Sequence, residues 1–137
     1  MTPHYTAVAT ANGREGRAVS SDGHLDIALA TPQELGGSGN ASNPEQLFAA
    51  GYAACFASAL SAVGRHSGHD TSQVSVTAEV GIGGDAKTGF TLSVVLRIEL
   101  PDDLHGPEGE KLVEHAHQVC PYSHATRGNI PVEMVIE

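Results

Sequence analysis

The chain has 137 residues, with 16 acidic and 7 basic side chains and a formal charge of −9. That length suits one domain with a real core, spanning residues 1–137, and is too short for two ordinary ones. With few and scattered cations, nucleic-acid binding and attachment to anionic membrane surfaces are both disfavoured.

The first third reads as short strands joined by tight turns. His4 to Thr10 is rich in Thr, Val and Tyr and leads to the turn-prone Asn12-Gly13. Arg17 to Ser20 leads to Asp22-Gly23, after which Leu25, Ile27 and Leu29 alternate as a half-buried strand should. Together these segments predict a three-stranded antiparallel meander, followed by a flexible loop over residues 36–43.

Asn43-Pro44-Glu45 is a helix start: a capping side chain, proline at the first helical position, and an acid near the positive end of the dipole. The helix is expected to run to about Val63 and stop at Gly64. No charge occurs between Glu45 and Arg65, so a central helix buried on every side is expected. No run of about 18 apolar residues is read here, and no membrane span is expected. The opening Met1-Thr2-Pro3-His4-Tyr5 lacks the pattern of a secretory signal, and the expected location is cytoplasmic.

Val74, Val76, Ala78, Val80 and Ile82 alternate, as do Leu92, Val94, Leu96 and Ile98; residues 83–89 supply the loop of a β-hairpin. A second helix is expected from about Pro107 to Cys120, with Leu112, Ala116, Val119 and Cys120 on its apolar face. Val132, Met134 and Ile136 finish as a strand. The resulting class is α+β: three-stranded meander, buried central helix, β-hairpin, second helix, final strand, without internal repeats.

Two cysteines, Cys55 and Cys120, are present. Each taken singly suits a small buried core position. Both, however, occupy inward faces of the only two predicted helices. Helices sharing one core can bring thiols within disulfide reach, about 5.5 Å between α-carbons. The pair could be a disulfide, a redox couple, half a metal site, or inert. His117, Cys120 and His124 have a spacing that zinc could use, but Pro121 ends the helix between the last two. A Cys-His-Asp triad is a weak reading, because eight histidines supply such combinations by chance. The glycines at 36–39 lack the lysine of a phosphate loop. Arg14, Arg17 and Arg127, each beside a glycine, are the cations nearest to predicted loops.

Two segments carry a family resemblance. Glu45-Gln46-Leu47-Phe48-Ala49-Ala50-Gly51-Tyr52-Ala53-Ala54-Cys55-Phe56 and Val119-Cys120-Pro121-Tyr122-Ser123-His124-Ala125-Thr126-Arg127-Gly128-Asn129 closely resemble the two cysteine motifs of organic hydroperoxide resistance proteins. These form the hydroperoxide-reducing branch of the family shared with osmotically induced proteins, often called OsmC/Ohr. Residues 13–23, from Gly13-Arg14 to Asp22-Gly23, resemble that branch too, and the likeness covers nearly the whole chain. The departure is the histidine-rich stretch at residues 115–124.

The resemblance implies a thiol peroxidase that reduces organic hydroperoxides to alcohols as an intertwined homodimer without a cofactor or metal. Cys55 would be the peroxidatic cysteine and Cys120 the resolving one, with Arg14 and Glu45 completing the site. The guanidinium would favour the thiolate and hold the peroxide oxygens, and Glu45 would fix its orientation. Lipoyl-bearing proteins would supply the reducing dithiol. Glu45 and Cys55 lie ten residues apart, a rise of about 15 Å on a straight helix. Either the helix breaks near Gly51, or the two groups of one site come from different subunits. Leu47, Phe48, Tyr52 and Phe56 flank the nucleophile; Phe48, Tyr52 and Phe56 are the candidate substrate pocket, although helical spacing assigns at least two of the four to the core. The competing readings are a redox sensor of the same fold, a peroxidase of the osmotically induced branch, and a zinc-binding module. The contexts of Arg14 and Val119-Cys120-Pro121 argue against the osmotically induced branch.

Overall fold

The computed structural model spans residues 1–137. The chain divides into two compact units, Met1–Leu47 and Phe48–Glu137.

The first unit is a three-stranded antiparallel sheet in the order β1 (Ala9–Ala11), β2 (Gly16–Ser20), β3 (Asp26–Leu29). The expected meander is present, but β1 starts at Ala9 rather than His4. Its register sets Ala9 opposite Ser20 and Ala11 opposite Ala18, and just before it the Val8 carbonyl accepts the Ser21 N–H at 2.8 Å. Ala18, Leu29 and Ala30 are its buried apolar residues. The segment expected to be a flexible loop is tied down: Ala30 N–H donates to the Ser42 carbonyl at 2.8 Å, and Gly39 N–H donates to the Thr31 carbonyl at 3.0 Å.

Helix α1 (Pro44–His66) begins at the end of this unit. Asn43 caps it as predicted, its side-chain oxygen accepting the Gln46 N–H at 2.8 Å. Asn43→Ala should therefore lower the unfolding free energy by about 1 kcal/mol, read from urea denaturation midpoints at unchanged slope.

The second unit packs the rest of α1 with a sheet of β4 (Ser75–Asp85), β5 (Gly89–Glu99) and β6 (Val132–Ile136), and with α2 (Pro107–Val119) and α3 (Pro121–Thr126). β5 is the central strand, antiparallel to β4 and parallel to β6. The parallel pairing reflects the helical crossover between those strands. Every second residue of β5 is buried from Val94 through Leu96 and Ile98, and Leu100 continues the pattern beyond its end. Against them pack Tyr52, Phe56, Leu60 and Val63 of α1, and Leu112, Val113 and Ala116 of α2.

Four expectations need correction here. The helix does not stop at Gly64: it continues to His66, and the glycine makes room for Thr71, whose Cγ2 would lie 2.2 Å from an added Cβ. Burial of α1 is confined to one face, with Ala50, Ala54, Ser58 and Ala62 exposed on another. Its alanine-rich composition makes it, by length and composition alone, apolar enough to cross a membrane, contrary to the sequence reading. Its buried face is nonetheless filled by the packing just described. On α2, Val119 is exposed and Val113 takes the buried position.

Candidate active site

The second unit brings the two cysteines together. Cys55 projects from the middle of α1 and is half-buried, whereas Cys120 is fully buried. Cys120 sits between α2 and α3 in extended geometry, φ −66° and ψ 122°. Pro121 explains this: its ring disfavours helical geometry in the residue before it. The chain still loses no hydrogen bond, since Cys120 N–H donates to Ala116 O at 2.8 Å and Cys120 O accepts His124 N–H at 2.9 Å. The two free thiols stand 3.6 Å apart, Sγ to Sγ. A disulfide needs about 2.05 Å, a difference that a modest movement of side chain or backbone can close.

Burial pushes the Cys55 thiol above its ordinary pKa. The Tyr122 backbone N–H offsets part of that effect, and the neighbouring Cys120 adds to it. The surroundings of Cys55 in this unit thus favour the thiol, not the thiolate that the sequence reading had a guanidinium stabilise. The physical reason is desolvation of the charged form.

In the first unit, Arg14 and Glu45 form a two-pronged ion pair. Arg14 Nη1 donates to Glu45 Oε2 at 3.0 Å and Nη2 to Oε1 at 2.5 Å. Arg14 lies in the turn between β1 and β2, while Glu45 stands in the first turn of α1. The hydrogen bonds from Arg14 hold the Glu45 carboxyl below its usual range, and those to Glu45 raise Arg14. The pair is consequently charged throughout the neutral range. Arg17 is engaged with Asp26, and Arg127 donates to the His117 carbonyl at 2.9 Å.

A family model for OsmC-like proteins matches residues 37–135. The chain belongs to the OsmC/Ohr family, in its organic hydroperoxide resistance branch. It is 55% identical to an organic hydroperoxide resistance protein of Xanthomonas axonopodis pv. citri, with 96% of this chain and 94% of that protein aligned. It is 44% identical to the organic hydroperoxide resistance protein OhrA of Bacillus subtilis, covering 98% of this chain and 96% of the relative. The crystal structure of an organic hydroperoxide resistance protein from Elizabethkingia anophelis superposes with a TM-score of 0.91 at 46% identity, covering 100% of this chain and 99% of that one. These likenesses bear out the family resemblance and the α+β class.

Within this member of the OsmC/Ohr family, the three candidate pocket residues divide. Tyr52 and Phe56 are wholly buried in the core and present no ring surface to a substrate, whereas Phe48 is half-buried. The core assignment for two of the four flanking residues accordingly describes Tyr52 and Phe56. Phe48 meets Tyr52 and Tyr122 edge-on, at ring-centroid separations of 6.2 and 6.1 Å.

Tyr122 was not singled out from the sequence. Its phenol reaches across α1 at Gly51, where an added Cβ would lie 2.7 Å from the hydroxyl. Gly51 and Cys55 are one helical turn apart, so the missing side chain opens the turn next to the nucleophile. The position of Tyr122, just after the helix-breaking Pro121, was the available signal. Ser123 and Thr126 were also missed, and both are buried hydroxyls. Of the residues in the zinc reading, His124 Nδ1 lies 3.3 Å from Arg127 Nη2 and Cys120 faces Cys55, while the buried His117 Nδ1 has no hydrogen-bond partner.

Proposed function

We propose that this chain is a two-cysteine thiol peroxidase for organic hydroperoxides. The observation that carries the proposal is the 3.6 Å approach of two free thiols, one half-buried and one fully enclosed. The thiolate of Cys55 attacks the terminal peroxide oxygen, forming an S–O bond as the O–O bond breaks and the alcohol leaves after taking a proton. The product is a sulfenic acid on Cys55. The Cys120 sulfur then attacks Cys55, an S–S bond replaces the S–O bond, and water departs. An external dithiol, of the kind carried by lipoyl proteins, returns two electrons and two protons. No cofactor takes part.

Arg14 supplies the positive charge, and Glu45 holds its fork in place. Continuity of α1 through Gly51 supports the reading in which Glu45 and Cys55 of one site come from different copies of a homodimer. Exposed Ala50, Ala54, Ser58 and Ala62, spaced four apart, offer a surface on which another backbone can approach closely. On this reading residues 1–137 act as one functional domain, located in the cytoplasm where dithiols are kept reduced. Phe48 and Tyr122 give the substrate an apolar wall suited to alkyl and fatty-acid hydroperoxides.

A second reading is a redox sensor of the same fold that oxidises once; it needs the same Cys55 thiolate, so the upward-shifted pKa does not separate it from the peroxidase. Turnover separates the two. With dihydrolipoamide in excess, the peroxidase should consume many equivalents of cumene hydroperoxide per chain. Consumption that stops at one equivalent, with the disulfide persisting in excess dihydrolipoamide, would leave only the sensor.

A further inference from the structure

Helix α3 is short, and its two buried side chains, Ser123 and Thr126, are both hydroxyls. Both meet one atom. The Tyr52 hydroxyl lies 2.8 Å from Ser123 Oγ and 3.0 Å from Thr126 Oγ1, and the Thr126 hydroxyl also donates to the Ser123 carbonyl at 3.1 Å. Tyr52 is itself wholly buried, so this polar knot is closed to water. Its role is clear from the spacing. Cys55 is three residues beyond Tyr52 on α1, and Ser123 is three residues beyond Cys120. The hydroxyl contact and the sulfur contact are thus parallel rungs between the same two pieces of chain, at 2.8 and 3.6 Å.

We infer that Tyr52 is a positioning residue, whose hydroxyl docks α3 and thereby sets the distance at which Cys120 meets Cys55. The packing of α2 through Leu112, Val113 and Ala116 fixes the chain before Cys120. Pro121 and the extended geometry at Cys120 break the helical continuity between α2 and α3. Arg127 ties the end of α3 back to α2 through the His117 carbonyl, while the Tyr52 hydroxyl ties its buried face to α1, and a hydrogen bond fixes distance and direction more narrowly than apolar contact does. The Tyr52 hydroxyl is bonded to Ser123 and Thr126 and to neither sulfur. It acts on the second step, closure of the disulfide.

This inference rests on the peroxidase reading, but part of its test needs no peroxide. Tyr52→Phe keeps the ring and removes the hydroxyl. Equilibrating the reduced and oxidised protein against dithiothreitol gives the stability of the Cys55–Cys120 disulfide. Mixing reduced protein with one equivalent of cumene hydroperoxide gives the rates of peroxide loss and of disulfide closure. In Tyr52→Phe, closure should slow and the disulfide equilibrium constant fall, each by about tenfold, the worth of a buried hydrogen bond or two. Peroxide loss should stay within about twofold of wild type, and more Cys55 should be found as sulfinic acid. Should Tyr52→Phe fold poorly, Thr126→Val provides the same test, and Thr126→Ser, which keeps the hydroxyl, should restore closure. A lower melting temperature with closure and equilibrium constant unchanged would make the knot merely structural and overturn the inference. If wild type consumes no peroxide, the peroxidase reading fails, while the dithiothreitol equilibrium still decides whether Tyr52 positions the pair.

Discussion

Cys55→Ser should abolish hydroperoxide consumption, lowering it by at least about 10³-fold even in a single turnover, whereas Cys120→Ser should consume one equivalent at the normal rate, a second only as its sulfenic acid overoxidises, and no more. The asymmetry arises from where the two sulfurs sit. Cys55 is half-buried and so has a face a peroxide can reach; Cys120 has none. Only the first can make the S–O bond. A serine hydroxyl at 55 is far less acidic and less polarizable than a thiol, and it does not attack peroxide oxygen at neutral pH. In Cys120→Ser the sulfenic acid forms but loses the sulfur that stood 3.6 Å away. With no partner to condense with, it reacts with further peroxide and climbs to sulfinic acid. Peroxide loss after stoichiometric mixing reads the first step. The intact mass, with two oxygens gained in Cys120→Ser and none retained in wild type, reads the second. Full turnover by Cys120→Ser would remove Cys120 from the mechanism.

The cysteine pair was legible because two simple signals agreed. Helical spacing put both residues on inward faces, and the chain has few helices among which to distribute them. Asn43 was legible as a cap because capping is local chemistry. The misreadings all concern tertiary neighbours. Gly64 has the appearance of a helix stop, but its lack of a side chain serves the close approach of Thr71. Val119 fits the apolar face of an ideal helix that reaches Cys120, yet the helix ends at Val119 and its side chain is exposed. Alanines on α1 read as core because hydrophobicity scales rate them apolar, but an alanine loses little by facing water. Tyr122 was hidden for a different reason. Its backbone N–H bears on Cys55, and a backbone donor leaves no mark on residue type. The polar knot at Tyr52 was equally silent, since a tyrosine at helical spacing among apolar residues looks like any core aromatic.

Arg14→Gln should lower the rate of peroxide reduction at pH 7 by about 100-fold and change the shape of its pH dependence. An opposite charge close to an ionisable group shifts its pKa by about 1–3 units, and below both pKa values each unit is tenfold in thiolate. The site sets the sign. Burial raises the pKa of Cys55, which means that the thiol is the form favoured at neutral pH unless a cation is brought to it. Without Arg14, the rate should climb about tenfold per pH unit through the neutral range, because thiolate remains a small and growing fraction. With Arg14, the rise should level off at lower pH. Arg14→Lys should recover part of the loss: an ammonium keeps the charge but cannot make the two parallel bonds to Glu45. Glu45→Gln should leave the charge in place and free the guanidinium, a loss smaller than that of Arg14→Gln. Because Arg14 holds the Glu45 carboxyl below its usual range, the pairing contributes stability above the ordinary carboxylate pKa. That contribution disappears as pH falls through the lowered value in the folded chain. The pair therefore stays intact wherever the thiolate matters, and Glu45 should add no step to the neutral pH profile. Rates of cumene hydroperoxide reduction from pH 6 to 9 for the four proteins measure all of this. An unaltered profile in Arg14→Gln would mean that some other group ionises Cys55.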